Sequence, residues 1–78
     1  MKYKVGDRVK VRADLSNKVY TSTEYGLTIQ TVVSPMLLLA GKHTVITEVD
    51  GYQYKIEGSG FRWVDSMFEE KVVVVWET

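Results

Sequence analysis

The run from Lys42 to Phe68, KHTVITEVDGYQYKIEGSGFRWVDSMF, restricts this chain more than any other stretch. Thr44-Val45-Ile46-Thr47 and Tyr52-Gln53-Tyr54-Lys55-Ile56 are rich in β-branched and aromatic residues, which suit a pleated, half-buried surface. Between them Asp50-Gly51 tolerates the positive φ angles of a two-residue type I′ connection, so a β-hairpin is expected about that pair. Gly58-Ser59-Gly60 marks a second reversal, into Phe61-Arg62-Trp63-Val64. The result is a three-stranded meander around which the remaining segments must wrap.

With 78 residues the chain supports one domain. A domain of that size buries only roughly 60–65% of its accessible surface, which leaves little room for an internal active site. There are no cysteines, so neither disulfides nor thiolate metal sites can supplement the core. That composition is compatible with a reducing cytoplasm, the expected location. The N-terminal MKYKVGDRVKV lacks the apolar segment of a secretory signal. The longest apolar runs, 36–40 and 72–76, fall far short of the ~20 residues that span a bilayer, so a soluble protein is expected. Ten Lys and Arg balance ten Asp and Glu, against the basic excess of a dedicated nucleic-acid binder. Cations gather at residues 1–20 and carboxylates at 57–78, which predicts cross-strand ion pairs between the two ends of the fold.

From the N-terminus, Gly6-Asp7 reads as a turn into a strand over residues 7–12, with Val9 and Val11 facing a core and Arg8, Lys10 and Arg12 facing water. Residues 13–26 are polar and punctuated by Ser, Asn, Thr and Gly, and read as a long loop of the kind that often binds. Residues 27–33 are β-prone. In the next stretch Ser34 suits an N-cap, Pro35 the first helical position and Gly41 the left-handed position that ends a helix, so a short helical turn is expected near 35–40. Residues 64–68 read as a short 3₁₀ turn, and 71–78 as a valine-rich strand whose uncovered edge would favour self-association.

Gly6-Asp7, Met36 with Gly41-Lys42, Tyr54-Lys55-Ile56, and Trp63 with Asp65 and Met67-Phe68 together resemble the pattern of small SH3-like barrel proteins of bacteriophages and prophages of Gram-positive bacteria. The resemblance covers about residues 4–70 and leaves 71–78 as a C-terminal extension. It implies an all-β SH3-like barrel of five or six antiparallel strands. Fold alone does not choose a function, because such barrels host peptide binding, nucleic-acid contact and scaffolding. The 13–26 loop carries only Asp14 and Glu24 as acidic residues, unlike the acidic specificity loop of proline-motif binders.

No residue set points to catalysis, a cofactor or a metal. His43 is the only histidine, Gly58-Ser59-Gly60 lacks the rest of a phosphate loop, and no carboxylate pair is singled out by spacing. The expected function is therefore a non-enzymatic, phage- or prophage-type interaction module that contacts another protein, through Tyr20, Tyr25, Phe61 and Trp63. Two alternatives stand beside it. One is weak nucleic-acid binding by Lys4, Arg8, Lys10 and Arg12, through phosphate contact without base stacking. The other is homo-oligomeric assembly through Val73, Val75 and Trp76.

Overall fold

The computed structural model describes residues 2–69. They form an all-β fold of antiparallel strands: β1 Arg8–Lys10, β2 Val19–Thr21, β3 Ile29–Thr31, β4 His43–Asp50 and β5 Gln53–Ile56. A four-residue helix, α1 Ser34–Leu37, precedes β4, and a 3₁₀ turn, Asp65–Met67, follows β5. The expected strand at 71–78 lies outside the described residues.

Two sheets are present among the described residues, one of order β1-β4-β5 and one of β2-β3. Isolated bridges flank the first, Val11 to Phe68 beside β1 and Tyr54 to Trp63 beside β5. The 3₁₀ turn carries the chain from one flank to the other. These pairings stop short of a closed barrel, because single bridges rather than full ladders join the turn segment to its neighbours.

The period-two reading holds in β1 and β5. Val9 and Val11 are buried while Arg8 is exposed, and Tyr54 and Ile56 are buried between half-covered Gln53 and Lys55. The β4–β5 turn differs from expectation. Asp50 pairs with Gln53, so the two loop residues are Gly51 and Tyr52. Only Gly51 has positive φ, +61°, the pattern of a type II′ rather than a type I′ turn. Apart from its chain neighbours, no atom lies within 4 Å of where a Gly51 Cβ would stand, so Gly51→Ala tests the backbone conformation. It should cost about 1–2 kcal/mol in urea unfolding, and an unchanged midpoint would mean the turn relaxes.

The helical turn is shorter and earlier than predicted, and Val33 rather than Ser34 occupies the N-cap position. Val33 has extended backbone, and its N–H reaches the Met36 sulfur at 3.5 Å. Gly41 does adopt left-handed φ, +78°. Of the apolar run, Met36 is fully buried, Leu37 and Leu39 pack partly on the core, and Leu38 faces solvent.

An aromatic cluster sits at the centre. Trp63 stacks on Phe68 with centroids 5.9 Å apart and 19° between planes. Tyr3 meets Tyr54 at 5.5 Å and Phe68 at 5.7 Å, both edge to face, arrangements that add to simple area burial. The expected pairing of charge between the two ends of the fold is seen twice among the described residues, as Lys10 to Glu69 at 3.4 Å and Lys2 to Asp65 at 3.8 Å.

Candidate functional site

The stretch 13–26, read as a long loop, contains β2, which forms a β-ribbon with β3 in the residues 27–33 read as β-prone. β2 and β3 pair antiparallel, Tyr20 opposite Gln30, and the ladder continues through Ser22 N–H to Thr28 C=O at 2.8 Å and Val32 N–H to Lys18 C=O at 3.0 Å. The Ser22 hydroxyl closes the tip by accepting from the N–H groups of Glu24 and Tyr25, the local bonding that makes serine a turn residue.

Alternation divides the ribbon into two faces. Tyr20 and Val32 point inward and are buried. On the outward face lie Val19, Thr21, Ile29 and Thr31, all exposed, with Val19 51% and Ile29 55% accessible. Leu27 at the tip is 80% accessible. Tyr25 lies against Tyr52 at 5.1 Å between centroids, and both rings remain exposed. Gln53 Nε2 donates to Gln30 Oε1 at 3.1 Å, a second tie between the ribbon and the β4–β5 turn.

A polar clasp holds the ribbon tip to the body. The Asp65 side chain is wholly buried and accepts from Thr23 N–H at 2.9 Å and from the Thr23 hydroxyl, with the Lys2 ammonium 3.8 Å away. Burial pushes this carboxyl up, but the Thr23 hydroxyl and N–H, the Ser22 hydroxyl and Lys2 outweigh it, and the net shift is downward. Next to it Tyr54 O–H donates to Glu24 Oε2 at 2.6 Å and accepts from Tyr3 N–H at 3.2 Å, while Lys2 N–H donates to Glu24. Burial, then the bond to the Glu24 carboxylate, drives the Tyr54 phenol far above its ordinary range. Ser66 O–H donates to Thr21 C=O at 2.7 Å, so the β2 edge faces the 3₁₀ turn.

The four residues expected to form a protein-binding surface separate. Trp63 is fully buried, its Nε1–H donating to Ser59 Oγ at 3.2 Å, because the core of so small a domain needs its largest ring. Tyr20 is also in the core, its hydroxyl accepting from Ser16 N–H at 3.1 Å and the Lys18 ammonium lying 4.9 Å from its ring. Tyr25 and Phe61 stay exposed, but Tyr25 meets Tyr52.

Half of the basic row is engaged. Arg12 holds Asp14 by two bonds, 2.9 and 3.1 Å, and Lys10 pairs with Glu69. That pairing raises the Arg12 pKa and lowers that of Asp14. Lys4 and Arg8 are exposed. Val73, Val75 and Trp76 lie outside the described residues.

Leu27, Ile29 and Tyr52 are surface residues that sequence reasoning did not assign to a site. The available signal was the spacing Val19-x-Thr21 and Ile29-x-Thr31, two short alternations on either side of a Ser-Thr-Glu tip. Among the described residues no group of three or more His, Asp or Glu is placed to hold a metal, and no helix is long and apolar enough to cross a membrane. His43 lines a shallow depression with Arg8, Thr44, Val45 and Glu57.

No protein-family model, curated protein or solved structure matches this chain.

Proposed function

We propose that this chain is a non-enzymatic protein-interaction module of the SH3-like, phage-type class, and that it docks its partner on the outward face of the β2–β3 ribbon. One observation carries the reading. Nine large apolar residues are exposed among those described, and six of them are Val19, Tyr25, Leu27, Ile29 and Val33 on the ribbon and Tyr52 beside it. Contiguous exposed apolar patches are uncommon on small monomers and mark binding sites, and paired aromatic rings are favoured anchors. The pairings around β1 support the SH3-like assignment. β4 lies on one side of that strand and Phe68 on the other, with the 3₁₀ turn leading into the latter. A cytoplasmic location follows from the same reading.

The test places a photocrosslinking phenylalanine analogue at Leu27, in the organism that carries the gene. A discrete adduct is expected, and it should vanish when Ile29→Lys is added. The same group at exposed Thr47 should give none. Ile29→Lys should itself alter unfolding free energy by no more than about 0.5 kcal/mol, as the side chain faces solvent. Adducts that ignore Ile29→Lys, or no adduct at Leu27, would remove this surface from consideration.

A further inference from the structure

We infer that two copies of this chain associate edge to edge through β3, forming a four-stranded antiparallel sheet about a two-fold axis at Gln30. The phase of the ribbon ladder supplies the first reason. Bonds at Ser22–Thr28 and Val32–Lys18 make Tyr20–Gln30 the bonded pair between them, so the N–H and C=O groups of Ile29 and Thr31 point away from β2. Among the described residues nothing else donates to or accepts from the Ile29 backbone or meets the Thr31 N–H. The Thr31 carbonyl has only a 3.5 Å approach from its neighbour's Gln30 Nε2. On the other edge of the ribbon Thr21 C=O is taken by Ser66, so that edge is partly occupied by the 3₁₀ turn.

The edge also lacks the usual guards. Natural edge strands are blunted by Lys, Pro or a bulge, and β3 with its flanks, Leu27 to Val33, contains none of these. Over residues 19–33 the single charge is Glu24, which is held at the tip by Tyr54 and the Lys2 backbone. Two ribbons therefore meet without charge repulsion. Antiparallel pairing of Ile29 with Thr31 of the second copy satisfies the open groups in both and extends the Val19–Ile29 face across the axis. A three-residue edge falls far below the roughly 800 Å² per partner of a stable interface, so the dimer is weak and reversible. This inference is independent of the partner docking proposed above, which uses the face and not the edge.

The test is sedimentation equilibrium and amide chemical shifts of the full chain, from roughly 0.05 to 1 mM protein, the range where so small an interface registers. Average mass should rise with concentration, with shifts centred on residues 28–32. Thr31→Pro is the discriminating variant. It removes an N–H that makes no bond within the chain, and proline is tolerated on strand edges. It should lower the association constant at least about tenfold and leave thermal unfolding and Leu27 crosslinking as they were. If Thr31→Pro does not fold, Ile29→Lys, which sets two ammonium groups near the axis, carries the same prediction for the association constant and for thermal unfolding, though not for Leu27 crosslinking. A monomer across the whole range would overturn the inference. So would self-association that persists in the variants, or that depends on residues 71–78 instead.

Discussion

Trp63→Ala should destabilise the fold by about 3–5 kcal/mol, the range for emptying a buried aromatic site. A domain of this length has a total of about 4–12 kcal/mol, so the variant should be marginal or unfolded at room temperature. The loss has three parts. Trp63 is fully buried and stacks on Phe68, so removing the indole opens a cavity next to the ring at the centre of the aromatic cluster. The Ser59 hydroxyl loses its indole donor. Trp63 also exchanges both backbone bonds with Tyr54, at 2.7 and 2.8 Å, and a residue without its anchoring ring holds that bridge less well. Trp63→Phe keeps a ring in the site and should cost far less than Ala. Urea unfolding followed by circular dichroism measures both, and a cost for Ala below about 1 kcal/mol would mean that Trp63 is a surface ring after all.

The contrast between Trp63 and Tyr54 explains what was legible. Tyr54-x-Ile56 and Val9-x-Val11 announce their buried face because a strand's side chains alternate, and neighbours in sequence fix the phase. A Trp three residues beyond a Gly-Ser-Gly reversal has no such phase, since the same letters serve a core ring or a rim ring. Only the pairing of Trp63 with Tyr54 decides between them. Half of the ribbon was hidden for a different reason. The β3 strand lies in a stretch legible as β-prone, but β2 is only Val19-Tyr20-Thr21, set between the polar residues 13–18 and a Ser-Thr-Glu tip, a context shared with loops. Tyr3 precedes the first turn with no periodic neighbour, yet it packs between Tyr54 and Phe68. The short helix and the 3₁₀ turn were readable from Pro35, Gly41 and the Trp63–Phe68 stretch, because local backbone preferences do not depend on distant partners. The docking face was not, because exposure is a property of what fails to cover a residue.

Asp65 carries the other large effect, and it too depends on a distant segment. A carboxylate is among the least expected groups in a core. Here its donors come from Thr23, 42 positions away in sequence, and its ion-pair partner is Lys2 near the N-terminus. Asp65→Ala leaves the Thr23 N–H and hydroxyl facing a void, which should cost about 2–3 kcal/mol. Asp65→Asn keeps the size but offers an amide where donors converge, and should recover only part of that loss. The pH dependence separates this from simple packing. The folded carboxyl titrates below its ordinary value of 3.8, so its contribution is complete above that pH and is lost as pH falls through the lower folded value. Wild-type stability should therefore owe nothing to Asp65 titration between about pH 7 and 5, and should fall more steeply than that of Asp65→Asn once the pH drops below the ordinary carboxyl range. Glu24, bonded to Tyr54 and Lys2 in the same clasp, is present in both proteins, so the difference between them isolates Asp65. The tip amides of residues 22–25 should lose hydrogen-exchange protection in Asp65→Asn before β4 and β5 do, because the clasp fastens the ribbon and not the central sheet. Parallel acid profiles for the two proteins would show that the buried carboxylate is held by packing alone.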